Sequence, residues 1–322
     1  MSVVIRSFGK AVPARRVSND DLPAELNTSD EWIRSHTGIG ARYIVGENET
    51  CVSLGVAACK QAIEEAGVNP EEINLLICST TTPAYIGFPS TACVMQPEIG
   101  ASNATCFDVT GACSGFLYAM NNAVGMMELN NWKYALLVGS EILSGIADWK
   151  DRSTCVLFGD AAGAVLLEKV DESDLSDSDE KLAGKVGAFV SGSDGTGAKS
   201  LYLSNDDGFL KMDGHAVYNF AVGAMTNAVR LVMEKENLTG EDVDYFVCHQ
   251  ANERILNAAA KRLGFDFSKF ICSMGEYGNT SSASIPVALA DMNKEGKIKK
   301  GTTIVSAAFG AGLTWAGTVI RF

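Results

Sequence analysis

Glu71-Glu-Ile-Asn-Leu-Leu-Ile-Cys78 returns at an offset of 170 residues as Glu241-Asp-Val-Asp-Tyr-Phe-Val-Cys248, with acidic and apolar positions in step. Each copy follows a helical pattern, Val56 to Ala66 in one case and Ala224 to Glu236 in the other. An unbroken apolar run between turn signals reads as a buried strand, and alternation with helices reads as parallel sheet covered by helices. A second echo falls further on: Phe158-Gly159 leads into Ala162-Gly-Ala-Val-Leu-Leu167, and Phe309-Gly310 leads toward Ala316-Gly-Thr-Val-Ile320. The repeats predict two similar halves, 1–170 and 181–322, joined by the acidic linker 171–180. A five-layer α-β-α-β-α sandwich is one way to pack two such halves.

The totals describe an ordinary soluble globule. A length of 322 residues accommodates about two core-forming units. Hydrophobic residues at 47% and charged residues at 20% exclude a disordered chain, and a net charge of −13 argues against nucleic-acid binding. No apolar run approaches the ~20 residues of a membrane helix, and the opening Met1-Ser-Val-Val-Ile-Arg6 has no signal-peptide core, so a cytoplasmic protein is expected. Nine cysteines without metal spacing predict reduced thiols, with neither disulfide nor zinc.

Cys113 is the candidate nucleophile. In Thr105-Cys-Phe-Asp-Val-Thr-Gly-Ala-Cys-Ser-Gly-Phe-Leu-Tyr-Ala-Met120 a short strand meets a glycine turn, after which apolar residues at 116, 117, 119, 120, 123 and 124 predict a helix buried on nearly all sides. A thiol at that helix start would face free amide groups and the positive end of the dipole, which favours thiolate and predicts a lowered pKa. The other eight cysteines, in apolar or small-residue stretches, read as packing.

Three histidines make the choice of partner narrow. His249 follows the apolar run Tyr245 to Cys248 and so falls at a strand's C-terminal end, where sites of open α/β sheets gather. His36 and His215 sit in polar or glycine-rich surroundings. Asn279, in Tyr277-Gly-Asn-Thr-Ser281 before a helix expected at about 282–294, reads either as a cap or as a site residue brought to Cys113 by the pseudo-twofold. The glycine-rich Ser306 to Trp315, after a strand expected at Thr302 to Val305, is either a tight hairpin or an oxyanion-binding turn.

Several segments, in order and spanning nearly 1–322, resemble the β-ketoacyl-acyl-carrier-protein synthase III family: Asp30-Glu-Trp-Ile33, Thr37-Gly-Ile39, the Cys113 stretch, Phe158-Gly-Asp-Ala-Ala-Gly163, His249-Gln-Ala-Asn252 with Arg254-Ile255, Tyr277 to Ser281, and Phe309 to Gly312. The resemblance implies the thiolase-like form of that sandwich and a homodimeric, cofactor-free acyltransferase that condenses a short acyl-CoA primer with malonyl-acyl-carrier protein and so initiates fatty-acid synthesis. It implies Cys113, His249 and Asn279 as catalytic residues and the backbone amides of Cys113 and Ala311 as oxyanion hole. Thr28, Trp32, His36, Arg152, His215 and Asn252 would meet coenzyme A, and Phe88 would enter the partner's acyl pocket. Arg254 and Lys261, about 20° apart around a helix whose opposite side carries Ile255, Leu256, Ala259 and Leu263, would dock the carrier protein. His36 stands where the family often has arginine, and Ala311 interrupts its glycine triplet.

Other readings remain. The order Cys, His, Asn is also that of papain-like hydrolases, but the papain-type cysteine signature is missing. Elongating synthases use two histidines, and thiolases a second, C-terminal cysteine. A starter-unit condensing enzyme of secondary metabolism is the alternative within the fold, and a silent acyl-binding scaffold the alternative outside enzymes.

Overall fold

The computed structural model describes residues 1–171 and 182–322. The expected linker 171–180 therefore lies, apart from Asp171, outside the described residues. Along the first half run β1 (Ser2–Ala11), β2 (Arg15–Ser18), α1 (Asp30–Thr37), β3 (Ala41–Ile44), α2 (Cys51–Ala66), β4 (Ile73–Ser79), α3 (Thr91–Ile99), β5 (Thr105–Val109), α4 (Gly115–Asn130), β6 (Tyr134–Ile142), α5 (Arg152–Cys155) and β7 (Asp160–Val170). The second half contributes β8 (Gly184–Ser193), β9 (Leu201–Leu203), β10 (Leu210–Met212), α6 (Gly214–Lys235), β11 (Tyr245–Phe246), α7 (Glu253–Leu263), α8 (Met274–Tyr277), α9 (Ser284–Lys294), β12 (Thr303–Gly310) and β13 (Thr314–Arg321).

Strand order is β1-β7-β6-β4-β5 in one half and β8-β13-β12-β11 in the other. A brief antiparallel contact, Val4 with Lys185 and Ile5 with Gly184, joins the two ladders at β1 and β8. The apolar cores give five layers. Helices α2 and α3 cover the outside of the first sheet, with Ala58, Ala62, Ala92 and Met95 fully buried. Helices α6 and α7 cover the outside of the second through residues such as Met225, Val229 and Leu256. Between the sheets lie α4 and α9, which meet strand residues of both halves, among them Leu75, Leu137, Ile304 and Ala316.

The middle helices explain their own sequences. Phe116, Leu117, Ala119, Met120 and Ala123 of α4 are fully buried, and α9 buries Ile285, Val287, Ala288, Leu289 and Met292. The expected burial of α4 on nearly all sides holds only for its first turns, because its second half exposes Asn121, Asn122, Gly125, Glu128 and Leu129. Removing Phe116 to the β-carbon would cost about 3–5 kcal/mol. Outer helices are two-faced: α7 buries Ile255, Leu256 and Ala259 and exposes Arg254 and Lys261.

Each middle helix is entered through a tight 3-10 turn, Ala112–Ser114 before α4 and Ser281–Ala283 before α9. The first residue of each turn is left-handed, Ala112 at φ 45° and Ser281 at φ 48°, a conformation that costs a side-chain-bearing residue roughly 1 kcal/mol. Cys113 therefore has Ser282 as its symmetry mate. Asn279 lies before that turn, where it forms an isolated bridge with Phe158. Likewise β12 runs on to Gly310, so only Ala311 to Leu313 form the hairpin that returns as β13.

Candidate active site

Cys113 is 8% exposed and sits in the 3-10 turn ahead of α4 rather than at a free helix end. The Ser114 amide donates to Gly111 O at 3.1 Å, so part of the expected donor array is already used. What stays close is β12: a β-carbon on Gly310 would lie 2.8 Å from Cys113 N and 3.1 Å from Ser114 N. Glycine is required there by that approach. The expected lowering of the thiol pKa is overturned. Burial pushes it up to about 12, the charge of Glu141 pushes the same way, and hydrogen bonds from Ser281 and the cysteine's own amide only partly offset them.

His249 follows β11, and its backbone N–H donates to Ala307 O at 2.9 Å, which continues the sheet pairing to the site. Its Nδ1 lies 2.8 Å from Ser284 Oγ at the start of α9. Gln250 N donates to the same oxygen at 3.4 Å. In the tautomer where the Ser284 hydroxyl donates to Nδ1, Nε2 carries the imidazole proton; Nε2 is buried without a hydrogen-bond partner among the described residues. Burial lowers the His249 pKa to about 3, so the ring is neutral at physiological pH.

Asn279 is held by both backbone groups: its N–H donates to Leu157 O at 2.8 Å and its carbonyl accepts from Gly159 N at 3.1 Å. Its Oδ1 accepts from Ser281 N at 2.9 Å. The capping geometry is thus real, and it is also what turns the remaining carboxamide NH2 toward the site. Beneath this strip the fully buried Arg42 guanidinium donates to Val156 O at 2.6 Å and to Asn19 Oδ1 at 2.8 Å.

Cys113, His249 and Asn279 line one cavity of about 520 Å³, as does Ala311. Trp32, His36, Arg152 and Asn252 line it too. His36 stacks on Trp32 with ring centroids 4.3 Å apart, and the Arg152 guanidinium lies 5.0 Å from the same ring. Two expected coenzyme contacts fall outside this lining. Thr28 keeps a buried hydroxyl without a partner, and His215 is exposed in the first turn of α6, where its Nε2 lies 3.0 Å from Asn219 Nδ2. Phe88 is 88% exposed and lines nothing in its own chain. Arg254 and Lys261 share an adjoining hollow of about 440 Å³ with Arg34 and Glu253, and Tyr218 borders both spaces.

Sequence reasoning missed Ser281, Ser284, Gly310 and Glu141. Glu141 had a signal, being the only charged residue of Tyr134-Ala-Leu-Leu-Val-Gly-Ser-Glu-Ile142. All nine cysteines are free thiols, with Cys93 and Cys272 exposed rather than packed.

A layered thiolase-type sandwich that sets a cysteine, a neutral histidine and an asparagine around a tunnel defines a class, the condensing acyltransferases. A model of 3-oxoacyl-[acyl-carrier-protein] synthase III matches residues 107–184, and the model of that family's C-terminal part matches 233–322. The β-ketoacyl-[acyl-carrier-protein] synthase III of Clostridium acetobutylicum is 44% identical, covering 100% of this chain and 99% of its own. That of Oceanobacillus iheyensis is 43% identical with the same coverage. The crystal structure of 3-oxoacyl-[acyl-carrier-protein] synthase III from Aquifex aeolicus superposes with a TM-score of 0.92 at 39% identity, over 99% of this chain and 100% of that one. The chain belongs to the β-ketoacyl-acyl-carrier-protein synthase III family, and it is an acyltransferase that initiates fatty-acid synthesis.

Proposed function

We propose that Cys113 takes an acyl group from a short acyl-CoA and passes it to the carbanion formed by decarboxylation of malonyl-acyl-carrier protein. The observation that carries this reading is the orphaned Nε2 of a neutral His249, lining the same cavity as Cys113 and Asn279. In the first half-reaction the Cys113 sulfur bonds to the thioester carbon and coenzyme A leaves as its thiol with the cysteine's proton. In the second, the malonyl carboxylate departs as carbon dioxide and leaves its electron pair on an enolate whose oxygen accepts from His249 Nε2–H and the Asn279 amide. The carbanion attacks the acyl carbon, and Cys113 sulfur is the leaving group. Amides of Cys113 and Ala311 hold the oxyanion.

A neutral histidine suits this role because Nε2–H can donate a hydrogen bond to the enolate oxygen, and carbon dioxide loss from the malonyl carboxylate supplies the carbanion without a metal. Trp32, His36, Arg152 and Asn252 receive the coenzyme along the tunnel; Thr28 and His215 belong to its mouth. Arg254 and Lys261 meet the acidic carrier protein beside that mouth. Phe88, with Ile86 fully exposed and Tyr85 half exposed beside the edge strand β5, fits a face covered by a second copy of the chain. Among the described residues no helix is long and apolar enough to cross a membrane, and cytoplasmic residence completes the reading. Intact-mass measurement after mixing with acetyl-CoA tests it: one acetyl group should appear on Cys113 and none on Cys113→Ala, which should still release carbon dioxide from malonyl-carrier protein. Acetylation of that variant at the wild-type rate overturns the assignment.

A further inference from the structure

Glu141, near the end of β6, is fully buried, and no basic side chain is paired with it among the described residues. Its Oε2 accepts from Thr81 N at 2.9 Å, Thr81 Oγ1 at 3.0 Å and Thr82 Oγ1 at 3.1 Å. Its Oε1 lies 2.9 Å from Ser282 Oγ and 3.5 Å from Ser282 N. Thr81 lines the cavity, and Ser281, one residue before Ser282, reaches the Cys113 thiol and donates its amide to Asn279. One carboxylate therefore ties together the segments that flank the nucleophile from both halves.

We propose that Glu141 is a positioning residue of the condensation site, clamping Thr81 to the Ser282 turn and placing a buried negative charge behind the turn that adjoins Cys113. The proposal rests on Cys113 as the acyl acceptor. Geometry and electrostatics act together here. A buried negative charge disfavours a second one on sulfur. The Glu141 charge raises the thiol pKa. Facing Cys113 from the other elements are His249, neutral by burial, and at the outer end of the cavity His36 on α1 and Arg152 on α5. Cys51 on α2 and Cys78 on β4 also feel Glu141, together with Asp108 on β5.

Glu141→Gln is close to isosteric and its carboxamide can donate to Ser282 Oγ, which then donates to Ser79 O at 2.8 Å. The rate of Cys113 carboxamidomethylation by iodoacetamide, followed against pH and located by peptide mass spectrometry, is the readout. In Glu141→Gln its midpoint should fall by about one pH unit or more, with a rate at pH 8 about tenfold above the parent. A folded variant whose midpoint stays or rises overturns the electrostatic role, since loss of a merely structural contact has no reason to make the thiol more acidic. Ser282→Ala cuts the clamp and keeps the charge: acylation at saturating acyl-CoA should fall about tenfold, with the alkylation midpoint unmoved. Unchanged acylation there overturns the clamp, whether or not Glu141→Gln folds. If the parent enzyme alkylated at Cys113 still accepts an acyl group, the nucleophile assignment has failed, an outcome separate from either variant's result.

Discussion

His249 Nδ1 and Ser284 Oγ, 2.8 Å apart, connect the end of the β11 ladder to the first residue of α9 and settle which ring nitrogen faces the cavity. Ser284→Ala removes the donor that fixes this tautomer. Malonyl decarboxylation should fall about tenfold, matching the loss of one hydrogen bond of 1–1.5 kcal/mol. Acylation of Cys113 by acyl-CoA should change little. Separate assays of the two half-reactions check this, and an equal fall in both would assign Ser284 to packing.

Gly310→Ala places a β-carbon 2.8 Å from the Cys113 amide and 3.1 Å from that of Ser114. Overpacking should cost about 1–3 kcal/mol in urea unfolding. Blocking the oxyanion donors should lower the acylation rate by about 10²–10³. Normal turnover in a folded Gly310→Ala protein would place the oxyanion elsewhere.

Burial takes the His249 imidazole from 6.5 down to about 3 in the folded protein. Between these values the unfolded chain binds a proton that the native state does not. The contribution to stability is therefore complete above pH 6.5 and is lost as pH falls toward 3, with a slope of at most about 1.4 kcal/mol per unit. Urea unfolding at pH 7, 5.5 and 4.5 should show that acid slope, and His249→Gln should flatten it. Equal slopes in the two proteins would mean that the ring is solvated.

Arg254→Glu reverses a charge beside Tyr218, on the rim between the two hollows. KM for malonyl-carrier protein should rise about tenfold at low salt and lose part of its salt dependence, while acyl-CoA kinetics stay as they were. Lys261→Glu, about two helical turns further along the same helix face, should have the smaller effect. Equal damage to both half-reactions would point to a disturbed His249.

The sandwich could be read from the chain because a strand buried on both faces writes its environment into every residue, as Leu75-Leu-Ile-Cys78 and Tyr245-Phe-Val-Cys248 do. Cys113 stood out through its glycine turn and the apolar run Phe116 to Met120 behind it. The electrostatics did not follow, because the helix-end argument treats one element alone, whereas the thiol's surroundings come from β6, β12 and the turn before α9 together. Glu141 shows the same limit. Its partners lie 60 residues away at Thr81 and 141 residues away at Ser282, a separation no local pattern records. The symmetry mate of Cys113 was missed for a smaller reason: an offset found in strands drifts by one residue before it reaches the turns.

The two left-handed turns make two cradles of backbone amides, one ahead of each middle helix. At Ser282 the chain supplies its own anion, the Glu141 carboxylate, which works as a permanently bound ligand. At Cys113 the facing position is Gly310, which brings no side chain at all. In this duplicated architecture the turn before α9 is met by a side chain of the protein itself, whereas the turn before α4 is left facing a glycine.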